Sequence, residues 1–192
     1  ITLEHIQTTI DKPYIIEGLE ITNPNGFGIQ IREVDHVIIR NNYIHDCGIK
    51  ISEDIQKQIR ETGKTRLSAL SKPFDTGGIM IFDAKTVEIY DNKIINNDYG
   101  IFVLGHNKRP TKVSVHGNIV KDNHRSAFIK VKNADNVEIY KNIVEDNGLD
   151  IYMDNKGLME AFKRGENFPD GRSQGIAVDG CNKVRIFDNT VI

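Results

Sequence analysis

No apolar run in the 192 residues approaches membrane-spanning length. The first residues are not those of a signal peptide. Neither sign of charge dominates: 25 Lys and Arg stand against 27 Asp and Glu, a net charge of −2. Bulk electrostatics therefore implies no nucleic-acid partner. The six His are scattered, and none pairs as a zinc motif. Cysteine is scarce, with Cys47 and Cys181 as the whole supply. Neither has a metal-ligand spacing. Hydrophobic residues make up a modest 39%, which suits a solenoid that buries only the inward half of each strand. The length is enough for one domain with a continuous core. These shortages fit a cytosolic protein or a mature, trimmed secreted one.

What the chain does have is a repeat. The stretch Ala84 to Asp98, AKTVEIYDNKIINND, is written five times. Setting Val87 under Val37, Val113, Val137 and Val184 aligns the rest without a gap. Two residues on stand Ile39, Ile89, Val115, Ile139 and Ile186. Five on stand Asn42, Asn92, Asn118, Asn142 and Asn189, and seven on Ile44, Ile94, Val120, Val144 and Val191. Val34, Ala84, Pro110, Ala134 and Cys181 stand three before. Gly28, Gly78 and Gly175 each open a G-I-x-[IV]-like run; Gly100 is shifted by a longer loop, and Phe128 takes the place in the remaining copy.

The V-x-I alternation is a strand with one face buried. Asn follows where that strand must turn. Identical amides stacked at about 4.8 Å can bond to one another and to the turn backbone. The x-[IV] and G-I-x-[IV] runs are a second and a third strand. Three short parallel strands per coil of roughly 22 residues make a right-handed parallel β-helix, an all-β solenoid. At about 4.8 Å per coil, Cys47 and Cys181 lie too many coils apart for a disulfide. Cys181 shares its inward place with Ala84 and Ala134 and reads as a small buried hydrophobe.

The pattern G-I-x-I…x-V-x-I-x-x-N-x-[IV]-x-x-[ND] resembles the parallel β-helix repeat of the pectate-lyase-like superfamily, over Ile16 to Ile192. That repeat serves lyases, hydrolases, epimerases, phage spikes and adhesins, so it speaks for fold more than for function. The resemblance implies a polysaccharide partner and a secreted or cell-surface setting. The signatures D-P-H-[ED] of alginate epimerases and G-H-G or R-I-K of polygalacturonases are missing.

Residues 1–15 carry no clear repeat and no amphipathic capping helix. An early coil follows, with Leu19 and Ile21 assigned to the V-x-I places and Asn23-Pro24-Asn25-Gly26 to its turn. The repeat is still running at Ile192. The expectation is therefore one β-helix domain over 1–192 that belongs to a longer chain, or whose open ends are capped by flanking domains or by oligomerisation. The Val-to-Val intervals are 50, 26, 24 and 47. Both long intervals hold insertions, about 52–76 and 152–174, starting at one place in the coil. SEDIQKQIRETG has a Ser N-cap, early acids, and Ile55 and Ile59 on one face. NKGLMEAFKRG, with Asp154 as cap, clusters Leu158, Met159 and Phe162. Both read as short docked helices; the rival reading is a degenerate coil hidden in each. Two uninserted copies separate the insertions, which puts them about 14 Å apart. That width suits a cleft for an extended polymer. Alternatively the insertions only cover the outward apolar residues Met80, Phe82, Phe102 and Leu104.

Three groups are candidates for chemistry. One and three residues after each Val, the strand points outward, giving Glu88 and Tyr90, Ser114 and His116, Glu138 and Tyr140, flanked by Arg40 and Phe187. Flat rings stack on sugar faces and carboxylates bond sugar hydroxyls. Glu88 and Glu138, two coils and about 9.6 Å apart, approach the carboxyl separation of inverting glycosidases, about 6.5–9.5 Å. Glu88, Glu138 and His116 are thus catalytic candidates, and Arg40, Tyr90, Tyr140 and Phe187 substrate contacts. Plain cross-strand packing favours the same residue types.

The second group sits in the turns: Asp46, Asn96, Asp122 and Asp146, each followed by Cys47, Asn97, Asn123 or Asn147. Stacked Asp122 and Asp146 repel unless hydrogen-bonded, protonated or bridged by a cation. Oxygen-only ligands suit Ca²⁺; a metal-free polar turn is the alternative. The third group is basic, Lys130, Lys132, Arg125 and His124, with Asp150, Asp154 and Asp179 nearby. An acidic polysaccharide needs such cations and β-elimination needs a base, which makes Lys130 and Asp179 further catalytic candidates. The corner from which the insertions leave favours the Lys130 and Asp179 face, and the chemistry of the row favours the Glu and Tyr face. Two functions follow: a polysaccharide lyase or glycoside hydrolase, or a non-catalytic carbohydrate-binding, surface or spike module.

Overall fold

Valine and isoleucine at every second position, broken by residues that accept a left-handed backbone, give short strands and tight corners. The computed structural model describes residues 1–48, 57, 61, 76–108, 110–124, 128–145 and 175–192. Its first coil holds β1 (Thr2–Glu4), β2 (Tyr14–Glu17) and β3 (Glu20–Thr22). The second holds β4 (Ile29–Arg32), β5 (His36–Arg40) and β6 (Tyr43–His45), and the third β7 (Ile79–Phe82), β8 (Thr86–Tyr90) and β9 (Lys93–Ile95). The fourth holds β10 (Ile101–Leu104), β11 (Lys112–His116) and β12 (Ile119–Lys121). The fifth holds β13 (Ile129–Lys132), β14 (Asp135–Tyr140) and β15 (Ile143–Glu145), and the sixth β16 (Ile176–Asp179), β17 (Asn182–Phe187) and β18 (Thr190–Val191). Equivalent strands stack into three parallel six-stranded sheets. The first sheet begins with β1, the second with β2 and the third with β3. Among the described residues no helix is long and apolar enough to cross a membrane.

The Val column is in register: Val37 pairs Val87, Val87 pairs Val113, and Val113 and Val184 both pair Val137. From Val37 to Val137 these side chains are buried, as are Ile39, Ile89, Val115 and Ile139 beside them. Burying one such side chain is worth about 1.5–3 kcal/mol. In the last coil Val184, Ile176 and Cys181 are partly buried against that core. Cys47 is fully buried; burial pushes its thiol up to about 11. Both cysteines are free.

At the second corner, between the second and third sheets, the Asn column is a continuous ladder. Asn92 offers its backbone N–H and Nδ2 to Asn118 Oδ1 at 3.1 and 3.0 Å. Asn118 does the same to Asn142, also at 3.1 and 3.0 Å. Each Nδ2 also reaches a carbonyl of the coil before, as Asn118 does to Ile89 at 2.9 Å. The residue before each Asn bends the chain through positive φ: 54° at Asn41, Asp91, Lys141 and Asp188, and 64° at Gly117. For non-glycine residues that bend costs roughly 1–2 kcal/mol, which the amide bonds offset. A second ladder lies at the third corner, between the third sheet and the next coil. Fully buried Asn97 donates its N–H and Nδ2 to Asn123 Oδ1, both at 3.0 Å.

The first coil differs from the sequence reading. Tyr14 and Ile16, not Leu19 and Ile21, occupy the V-x-I places, opposite Val37 and Ile39. Ile21 lies one strand later, opposite Ile44. Leu19 stands where the others have Asn, its N–H 3.1 Å from Asn42 Oδ1. Residues 1–15 also contain a strand, β1, whose Leu3 pairs Ile31. A Tyr for Val, a Leu for Asn and a long loop between β1 and β2 hide this coil from the pattern.

No coil of the stack stands between the strands on either side of an insertion: β4 pairs β7 directly, and β13 pairs β16. Both insertions fall at the third corner, one between β6 and β7 and the other between β15 and β16. Their expected helices lie outside the described residues, apart from Lys57 and Glu61, which are helical. At the two ends of the first insertion, Asp98 donates its N–H to Cys47 O at 2.8 Å and accepts the Thr76 hydroxyl at 2.5 Å.

Candidate functional site

On the second sheet, strand alternation turns the row of Tyr90, His116, Tyr140 and Phe187 outward. Their rings form one stack with centroids 4.9, 4.7 and 4.9 Å apart and planes within 10° of parallel. Arg40 closes one end, donating to the Tyr90 hydroxyl at 2.7 Å and to Glu17 at 2.6 Å. Arg185 lies over the Phe187 ring, 4.9 Å from its centroid. The ring faces thus cover one another, and solvent meets a comb of edges and hydroxyls. Glu88 and Glu138 flank Ser114 across three coils in register. Glu138 holds Arg185 at 2.9 Å, and Glu88 Oε1 lies 3.5 Å from His116 Nε2.

A third outward column on this sheet precedes each Val and reads His36, Thr86, Lys112, Asn136 and Lys183. Sequence reasoning passed over it, although the same alternation that turns Glu88 outward turns it outward. Two depressions meet along it. One, of about 330 Å³, is lined by Lys112, Asn136, Glu138, Lys183 and Arg185. The other, of about 130 Å³, lies where Ile10 and Pro13 of the first coil overhang His36, Glu88 and Ser114; Lys112 lines both.

On the first sheet the outward residues are Gln30 and Arg32, Met80 and Phe82, Phe102 and Leu104, Lys130 and Lys132, then Ala177 and Asp179. Met80 points outward and is nevertheless fully buried, while Phe82, Phe102 and Leu104 are half-buried. Arg32 sits over Phe82 at 4.5 Å and Lys130 over Phe102 at 5.6 Å. Lys132 takes Asp179 at 3.3 Å, so Lys130 and Asp179 share a sheet without forming a pair. Beyond this sheet, at the first corner, buried Asp83 shapes the loop after β10. Its Oδ1 accepts N–H groups from His106, Asn107 and Lys108 at 2.6, 2.8 and 3.1 Å. Burial alone would raise the Asp83 carboxyl; these three donors leave it below the usual range.

The third corner carries a chain of side-chain contacts through four coils. Glu20 lies 3.2 Å from His45 Nε2, and His45 Nδ1 lies 2.6 Å from Asp46. The other Asp46 oxygen accepts Asn96 Nδ2 at 2.5 Å, and Asn96 Oδ1 lies 2.8 Å from His124 Nε2. The bond to Asp46 first, and then that to Glu20, raises the His45 pKa against the opposing effect of burial. Asp46, Asn96 and His124 were legible singly as turn and basic residues. Their connection was not, because Asp46 and Asn96 lie 50 residues apart.

Of the turn carboxylates, Asp122 is partly exposed with φ 54°, and Asp146 lies outside the described residues. So do Asn147, Arg125, Asp150 and Asp154. Among the described residues no three His, Cys, Asp or Glu side chains gather in a way that could hold a metal ion. A family model for the right-handed β-helix region matches residues 6–158 and again 78–192, two overlapping placements that an internal repeat allows. No match is found among curated proteins or among solved structures. With its stacked parallel sheets and that match over nearly its whole length, the chain belongs to the right-handed β-helix family.

Proposed function

We propose that this protein is carbohydrate-active, a lyase or hydrolase that takes an extended polysaccharide across its first sheet. The observation that carries the reading is the register. Both insertions return to the solenoid at the entrance of first-sheet strands, β7 and β16, three coil steps apart on one side. The loop held by Asp83 stands on the other side. A floor with the insertion corner on one side and this loop on the other suits a polymer. Lys130 is the residue of choice on that floor. It is partly buried over Phe102 and has no carboxylate partner among the described residues. A lysine so placed can meet the carboxylate of a uronate, next to the proton that a β-elimination removes. Such a substrate is met outside the cell, so secretion or surface display belongs to the same proposal, as does Ca²⁺ on Asp122 and Asp146.

A second reading is a non-catalytic glycan-binding module. It is favoured by the pairing of the candidate carboxylates: Glu138 with Arg185, and Asp179 with Lys132. One experiment separates the readings. Uronate and neutral polysaccharides are screened for new reducing ends and for ultraviolet-absorbing unsaturated products. We expect wild-type cleavage, and its loss by orders of magnitude in Lys130→Met with glycan binding retained. Full activity in Lys130→Met, with loss in Glu88→Gln or Glu138→Gln, moves the site to the second sheet. Binding without cleavage of any polymer selects the module.

A further inference from the structure

The 330 Å³ depression on the second sheet lies outside the proposed polymer floor, and its charge is unbalanced. Lys112, Lys183 and Arg185 line it against a single carboxylate, Glu138. That carboxylate is committed to Arg185 at 2.9 Å. Among the described residues, neither Lys112 nor Lys183 has a carboxylate partner. They precede Val113 and Val184, which both flank Val137, so their backbones stand two coils, about 9.6 Å, apart. Two uncompensated ammonium groups on one sheet face repel, and nothing in the Val core requires lysine at these outward places.

We propose that this depression binds an oxyanion: sulfate, phosphate or carboxylate, free or carried on a sugar-sized molecule. The two lysines would supply mobile N–H donors on either side of Asn136. Arg185, on the same strand as Lys183, is steadied by Glu138 and by the Phe187 ring and keeps its remaining guanidinium N–H groups for the anion. Asn136 gives the floor its shape, because its Nδ2 is spent on Thr111 O at 2.8 Å. Bound charge would relieve the lysine repulsion. Glu138, the one carboxylate in the lining, works against binding.

The test is titration of the whole protein with inorganic sulfate, inorganic phosphate, glucuronate and, as the neutral control, glucose. Binding is followed by calorimetry and by backbone amide shifts. Saturable shifts are expected at Lys112, Lys183 and Arg185 with at least one oxyanion and not with glucose. The rank of the three oxyanions tells which source fits. The double variant Lys112→Gln with Lys183→Gln should weaken that binding at least about tenfold, whereas Lys93→Gln on the third sheet should not change it. Glu138→Gln should tighten it by removing the one carboxylate of the lining. The proposal is overturned if no oxyanion saturates the site, if glucose binds equally well, or if the double variant binds as the wild type does. None of these outcomes depends on whether the first sheet cleaves a polysaccharide.

Discussion

His45 and Asp83 are single residues whose charge depends on the fold, and they respond to pH with opposite signs. The folded pKa of His45 is raised. Its contribution to stability is therefore full below the ordinary histidine value near 6.5 and is lost as pH rises through the folded value. A His45→Gln variant should thus fall furthest behind the wild type in thermal midpoint at about pH 5.5–6 and converge on it in mildly alkaline buffer. Equal gaps at both pH values would show that folding does not raise the His45 pKa. The folded pKa of Asp83 is lowered, so its contribution is present above the ordinary Asp value near 3.9 and vanishes as pH falls through the folded value. Asp83→Asn keeps the shape but weakens three bonds that were made to a charge. It should cost about 1–3 kcal/mol in denaturant melts at pH 7 and much less in strong acid.

At the level of the strand and its corner, the Asn ladder is the feature the sequence displayed most openly. Its legibility has a physical cause. Each amide must bond to a copy of itself, so the same residue recurs at one offset from each Val. Asn118→Ala in the middle would strand the Asn92 N–H and Nδ2, which both point at its Oδ1. It should lower unfolding stability by roughly 1–3 kcal/mol, read from chemical denaturation; an unchanged midpoint would remove the ladder as a source of stability. Elements that follow another logic were not legible. The first coil lost its register to Tyr14 and Leu19, because a large ring and an aliphatic chain fill places that Val and Asn fill elsewhere. The outward row was foreseen by alternation, but the way Tyr90, His116 and Tyr140 would be used was not. Spacing tells that rings are neighbours; only coordinates show that they close on one another. Lys112 and Lys183 were overlooked for a simpler reason: the residue before a strand's first Val counts as loop until the strand's length is known.

Across the whole molecule, every equivalent strand bonds only to its copies one coil before and one coil after. The core is a row of similar contacts with nearest-neighbour coupling. Destabilising a central coil should therefore divide the protein into two parts that lose protection separately, and destabilising a terminal coil should affect that end alone. Amide hydrogen exchange on Asn118→Ala and on a first-coil variant such as Ile16→Ala distinguishes these patterns. Uniform loss of protection in both variants would mean that the coils unfold as one.

The parallel register also has a mechanical meaning. The bonds between strands run along the solenoid axis, so a pull on the two ends loads them a few at a time, as in unzipping, and coils should leave one by one. The ladder intervals of 50, 26, 24 and 47 residues then become lengths. At about 3.3–3.6 Å per extended residue, the two plain intervals would each release about 80–90 Å and the two that hold insertions about 160–170 Å. A single-molecule stretching trace should show two step sizes, the long one about twice the short, and so report the placement of the insertions without resolving an atom.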